Sequence, residues 1–242
     1  GGFLFYGEVN EFPFYHGEGV MEVLLDIENA RLQYLPDWPA ITGLNSSLLF
    51  YNSSFSIENA TGYIYGADLS NINIAIDDLS DAHLSIDGDI DAPLSDLLLF
   101  VGNSPLKDML GSFISGLKGK GQSGLDLDLQ IPLAKDDEIK INGQLSFKDN
   151  EVLLPNQGYL LNSVNGVLQF TESSIRSDNL QAKMDAHAID VAVQTLSVET
   201  DALTRIGISG RLPVKNVLAP MPVLIEYMDG ITDWTVNIDI PA

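Results

Sequence analysis

The 242-residue chain has no cysteine, so neither a disulfide framework nor a thiolate metal site is open to it. Basic residues are scarce: 12 Lys and Arg stand against 34 Asp and Glu, a formal net charge of −22. Such a surface repels nucleic acid and anionic lipid head groups at long range, and we expect no nucleic-acid partner. Histidine is confined to His16, His83 and His187, with neither an H-x-H nor an H-E-x-x-H spacing. No apolar run approaches the roughly 20 residues that span a bilayer. Even "PLSDLLLFVG" is interrupted by Ser95 and Asp96. The opening "GGFLFYGEVNEFPF" has no initiating methionine and no basic leader, and we expect a piece of a longer polypeptide.

What the chain does have is alternation. In "GLDLDLQIP", Leu125, Leu127, Leu129 and Ile131 fall on one face of a strand, while Asp126, Asp128 and Gln130 fall on the other. The pattern returns with Ile72, Ile74 and Ile76, and again with Leu84, Ile86 and Ile90. Further along come Ile139, Ile141, Leu145 and Phe147, then Ile206, Ile208 and Leu212, then Trp234, Val236, Ile238 and Ile240. Asn, Asp, Gly and Ser turns separate these stretches at the intervals of antiparallel meanders. The expected fold is mainly β, an antiparallel sheet with one wet and one greasy face.

One region reads differently. Apolar residues at Leu106, Met109, Leu110, Phe113, Ile114 and Leu117 keep helical spacing, and Ser104-Pro105 reads as an N-cap followed by proline at the first helical position. Two short helices are expected near 93–117, from Pro93 to Val101 and from Pro105 to Gly116. Near the end, "KNVLAPMPVLIEYM" is a weaker counterpart that Pro220 and Pro222 limit to short turns.

An internal repeat underlies this order. Leu44–Ile64 aligns without a gap to Val164–Met184, so that Asn45 meets Asn165, Leu48 meets Leu168, Phe50 meets Phe170 and Asn59 meets Asn179. Upstream, "ENARLQYLP" is similar to "DNEVLLP"; downstream, "GDIDAPLSDLL" is similar to "GRLPVKNVL". The expected organisation is a first β module over 1–92, a helical insertion over 93–118 and a second β module over 119–242, its sheet continuous with the first.

Several stretches carry a family likeness: the F-P-F-x-x-G-x-G entry (Phe12, Pro13, Phe14, Gly17, Gly19), "LQYLPDWPAI" with Tyr34, Pro36, Trp38 and Pro39, the leucine-rich helix ending in "NSPL", and "GQLSFKDNEVLLP". Over nearly its whole length the chain resembles the central region of the YhdP-type proteins of the AsmA-like superfamily of Gram-negative bacteria. That resemblance implies an inner-membrane-anchored envelope protein whose periplasmic part is an elongated, curled β-sheet. Its hydrophobic groove would carry phospholipid acyl chains toward the outer membrane, supporting the permeability barrier. Its partners would be inner- and outer-membrane envelope proteins.

On pattern alone, a strand with one greasy face packs against a second sheet in a sandwich. The repeat and the resemblance favour an open sheet whose greasy face serves lipid. The candidate lining is Ile72, Ile74, Ile76, Leu84, Ile86, Ile90, Leu125, Leu127, Leu129, Ile131, Ile139, Ile141, Leu145, Phe147, Leu168, Phe170, Ile206, Ile208, Val236 and Ile238. Acyl burial is worth about 0.8 kcal/mol per methylene, so a ~16-carbon chain needs ~12 kcal/mol of apolar cover to leave a bilayer.

Catalytic signals are weak by comparison. "DGDID" (Asp87, Asp89, Asp91) has Ala92 where a calcium loop needs glycine and Leu98 where it needs glutamate, so solvated carboxylates are the simpler reading and a calcium site the alternative. There is no G-x-S-x-G elbow, and "GLKGKGQSG" lacks P-loop spacing and reads as a helix-to-strand linker. The sequons at Asn45, Asn52 and Asn59 are of the kind that arise by chance in Ser/Asn-rich turns. Aromatics Tyr6, Phe12, Phe14, Tyr15, Tyr34 and Trp38 serve a core, a groove rim or a carbohydrate platform. We expect no enzyme, metal or cofactor. The alternatives are a structural β-rich spacer with a closed core and a β-solenoid enzyme acting on polysaccharide.

Overall fold

The computed structural model describes residues 1–109, 116–133, 138–154, 158–198, 201–218 and 221–241. Strands dominate: β1 (Gly2–Tyr6), β2 (Val20–Leu32), β3 (Ile41–Tyr51), β4 (Ser54–Ile64), β5 (Ala67–Ile76) and β6 (His83–Pro93) come first. Helices α1 (Leu94–Gly102) and α2 (Leu106–Met109) follow, then β7 (Lys118–Lys120), β8 (Gln122–Pro132), β9 (Lys140–Leu154), β10 (Tyr159–Thr171), β11 (Ile175–Met184), β12 (His187–Val198) and β13 (Asp201–Pro213). Single-turn helices α3 (Val214–Val217) and α4 (Pro222–Ile225) precede β14 (Ile231–Pro241). The strands form one open antiparallel sheet in chain order, with β7 off the main path and paired to β9. The mainly-β expectation therefore holds, as does the first helix. Of the second expected helix, only Leu106–Met109 is described; Leu110, Phe113 and Ile114 lie outside the described residues.

The Ser104 hydroxyl donates back to the Val101 carbonyl (3.1 Å) at the end of α1, while its own carbonyl takes the Lys107 N–H at 3.1 Å.

The chain divides into two compact units, 1–90 with 126–142, and 91–125 with 143–242. In the first, the greasy face gathers Leu44, Ile57, Ala60, Ile72, Ile74 and Leu84, all buried, together with Trp38 and Phe14 from the loops at the strand ends. In the second, Leu94, Leu97, Leu125, Leu168, Val191, Ile206 and Leu212 are buried. Asp126 and Asp128 are exposed, as the alternation requires.

Bulges keep each greasy face whole. In β4, Ile57 and Ala60 are buried although three positions apart, and in β5 so are Leu69 and Ile72, because the pairing shifts register between them. Asn59 (φ 50°) and Asn71 (φ 55°) occupy the left-handed region there, as short amides tolerate. Without the extra residue, every side chain beyond it would turn to the wrong face.

An asparagine locks each of three bulges. The Asn45 amide donates to the Gly43 carbonyl (2.8 Å) and accepts from the Asn29 N–H (3.0 Å) on the neighbouring strand. Asn165 does the same with Ser163 (2.8 Å) and Asp149 (3.0 Å), each partner 120 positions on. Asn73 bridges Asn71 and Asn59 at 3.3 and 3.0 Å. Thus the structural equivalent of Asn29 is Asp149, at φ 50° and 55°, and not Asn150 as the resemblance of "ENARLQYLP" to "DNEVLLP" suggests. Two of the three sequon asparagines, Asn45 and Asn59, are bulge residues, and Asn52 shapes a turn at φ 50° while accepting the Met21 N–H at 2.8 Å.

Candidate functional site

The second unit holds an apolar cleft, assembled from strands β9 to β13 and from α1. All 14 side chains lining it are hydrocarbon: Leu145, Phe147, Val152 and Leu154 from β9, Leu161, Val164 and Leu168 from β10, Leu180, Val191, Val193 and Ile206 from the next three strands, and Leu94, Leu98 and Leu117 from the α1 region. The space between them is about 690 Å³, open solvent included. With no polar atom to hold water, it favours a hydrocarbon occupant.

A polar node sets α1 over this surface. Asn150 is fully buried, yet its side chain is satisfied three times: it accepts the Lys148 N–H (2.6 Å) and donates to the carbonyls of Lys120 and Gln122 (3.1 Å each). Those carbonyls flank Gly121, whose φ of 97° breaks β7 from β8. The Gly121 carbonyl in turn takes the Leu94 N–H at 2.8 Å, which starts α1. A Cβ on Gly119 would collide with the Leu94 side chain, so the glycine lets β7 lie against the helix. A similar contact starts α3: the Val214 N–H takes the carbonyl of Gly230 (φ 116°) at 2.9 Å. Tyr159 then secures α3, donating its hydroxyl to Val217 at 3.1 Å, and burial pushes its phenol up.

Leu94 and Leu98 meet strands that follow the helix, because Asn150 and Gly121 tie its first turn to β9.

Of the 20 candidate lining residues, 11 belong to the first unit: Ile72, Ile74, Ile76, Leu84, Ile86, Ile90, Leu127, Leu129, Ile131, Ile139 and Ile141. All are buried except Leu127 and Ile139, which are half-buried. In the second unit Leu125, Leu168, Phe170, Ile206 and Ile208 are buried, and Leu145, Phe147, Val236 and Ile238 half-buried. Four of the 20, Leu145, Phe147, Leu168 and Ile206, line the cleft. Reasoning from strict alternation missed Val152, Leu154, Leu161 and Val164, because the bulges at Asp149 and Ser163 reset the parity within their strands. In β10 a signal was present, since Leu161 and Val164 stand three apart across Asn162 and cannot share a face by strict alternation.

No group of three or more His, Cys, Asp or Glu able to hold a metal occurs among the described residues. The class this defines is an open, two-faced antiparallel sheet with a hydrocarbon-lined cleft. The comparisons narrow it. The chain belongs to the YhdP protein family, which it matches across residues 1–242. It is 29% identical over 238 residues to the intermembrane phospholipid transporter YhdP of Escherichia coli strain K12, an alignment covering 97% of this chain and 19% of that protein. The chain therefore spans about a fifth of the length of that relative. No solved structure matches it.

Proposed function

We propose that this chain is a segment of an envelope protein that carries phospholipid between inner and outer membrane, sheltering acyl chains on its apolar sheet face. The observation that carries the reading is the cleft of the second unit, 14 hydrocarbon side chains with no polar one among them. A lining of this kind offsets the ~0.8 kcal/mol per methylene that an acyl chain loses on leaving a bilayer, and it does so without selecting for head group. The polar face, with Asp126 and Asp128 in solvent, keeps the sheet wettable in a periplasmic setting. The transporter function of the related protein points the same way. In this reading the 20 alternation residues line the lipid path through two β modules, 1–92 and 119–242, around a helical insertion at 93–118. Envelope proteins of both membranes are its partners, and no bond is made or broken.

Native mass spectrometry of the chain recovered from a bacterial envelope tests this, with bound phospholipid as the expected result. Leu98→Asp and Leu145→Asp place a charge at half-buried cleft positions, where it can still hydrate enough to let the protein fold. Each should remove most of the bound lipid with circular dichroism unchanged, whereas Asp128→Asn should keep it. Recovery without lipid, or full lipid retention with both cleft positions charged, would overturn the proposal.

A further inference from the structure

On the greasy face of the second unit two polar atoms lie beyond the residues that line the cleft. Along β12, β13 and β14, Val191 pairs with Ile208 and Ile208 with Val236, an all-hydrocarbon row whose Val191 lines the cleft. Two residues along, roughly 7 Å farther, the next row runs Ile189, Gly210 and Trp234. Two residues before Ile189, on the far side of β13 from Trp234, His187 begins β12 opposite Met184 of β11. Trp234 Nε1 and His187 Nδ1 are both buried and find no hydrogen-bond partner among the described atoms. The third such atom, Ser123 Oγ, sits apart on β8.

An indole N–H can only donate, and a buried donor without an acceptor is disfavoured unless something supplies one. An imidazole nitrogen is satisfied by the same acceptor in the tautomer that carries its hydrogen on Nδ1. Two such groups beyond a hydrocarbon row that reaches the cleft match one molecule in particular: an acyl chain that ends in a carbonyl. We propose that Trp234, together with His187 across β13, binds the ester carbonyl of a glycerophospholipid whose acyl chain runs along that row into the cleft. This rests on the phospholipid reading above and adds to it a fixed depth, since the ester marks where hydrocarbon gives way to head group. A face that was apolar throughout would let the chain slide freely; here it has a resting position.

The test compares 1-myristoyl-lysophosphatidylethanolamine with its 1-O-tetradecyl ether analogue, which lacks only the carbonyl. Binding to the full 242-residue chain is measured by titration calorimetry below the micellar concentration. The ester lipid should bind about five-fold tighter, the worth of one ordinary hydrogen bond. Trp234→Phe keeps the ring and drops the N–H, so it should bring the ester lipid down to the ether value and leave the ether lipid unchanged. His187→Leu should narrow the same gap. Equal affinity of the wild-type chain for both lipids overturns the anchor while leaving lipid carriage standing. A Trp234→Phe variant that weakens both equally assigns the indole to packing and also overturns it. Binding of neither lipid removes the phospholipid reading and the anchor with it. If Trp234→Phe fails to fold, the wild-type comparison of the two lipids decides alone.

Discussion

The two repeats share a skeleton and differ in what fills it. Val23 pairs with Phe50 in the first; 120 positions on, Gly143 stands against Phe170, and a Cβ there would run into the phenyl ring. Asn73 locks the bulge at Asn59, but its counterpart is Val193, and Asn179 stays out of the left-handed region. There the Ser177 hydroxyl donates to the Val167 carbonyl (2.5 Å) across a register shift. Helix α1 has nine residues with Leu94, Leu97, Phe100 and Val101 buried, whereas α3 and α4 are single turns beside exposed Met221, Val223 and Tyr227. The register shifts recur, between Ile57 and Ala60 and again between Ser177 and Leu180, even where the clamp is lost; side chains that fill space drift. A bulge either forms or reverses every residue beyond it, while a lost methyl can be compensated by a neighbour.

The hardest test of that contrast is Gly143→Val, which copies the first repeat's residue into the second. With Phe170 in place it should overpack and cost about 3 kcal/mol, read as a fall in the denaturant midpoint. Phe170→Leu in the same chain should recover part of that loss. A neutral Gly143→Val would show that the phenyl ring moves freely. Next in size is Asn150→Ala, which strips two carbonyls and one N–H of their partner. We expect a loss of about 2–3 kcal/mol and faster amide exchange in α1, whose first turn hangs from Gly121. If stability falls and α1 exchange does not change, the node does not hold the helix.

Asn45→Ala and Asn165→Ala should each cost about 1–2 kcal/mol, two modest hydrogen bonds apiece, and by similar amounts if the clamps are equivalent. A loss confined to one of them would break the equivalence of the repeats. Converting Val193 to Asn should not create a second clamp in the second repeat, because Asn179 lacks the left-handed backbone its N–H would need.

The smallest expected effect is electrostatic. Arg205 grips Asp239 through two bonds of 2.7 Å and holds its carboxyl below the usual range near 3.8. A depressed folded-state pKa gives stability that is present above the unfolded value and fades as pH falls through the folded one. The pair is solvent-exposed, so Asp239→Asn should barely move the melting temperature at pH 7. It should flatten the melting curve's pH dependence only below about pH 4, and a large change at neutral pH would contradict the assignment.

How much was legible in the sequence follows the range of the forces involved. Alternation named the strands and their wet faces, since a period of two is set by the backbone itself; Asp126 and Asp128 could only face water. The repeat of Asn45 in Asn165 was visible as letters but not as a clamp, because its partners, Asn29 and Asp149, lie 16 residues away on the neighbouring strand. The cleft was only partly legible. Leu145, Phe147, Leu168 and Ile206 came from alternation, while Val152, Leu154, Leu161 and Val164 lay beyond bulges that a strict period of two passes over.

By itself, then, the sequence determined a mainly-β chain, two-faced strands and a repeat, all consequences of local geometry and of the incompatibility of hydrocarbon with water. Only the tertiary structure decided where those faces meet. It brought α1 to the strands that follow it, through a buried asparagine and a glycine with positive φ. It also left Trp234 and His187 with unpaired polar atoms beyond the residues that line the cleft. Whether a buried donor finds an acceptor depends on every neighbour in three dimensions, and no reading along one strand contains that information.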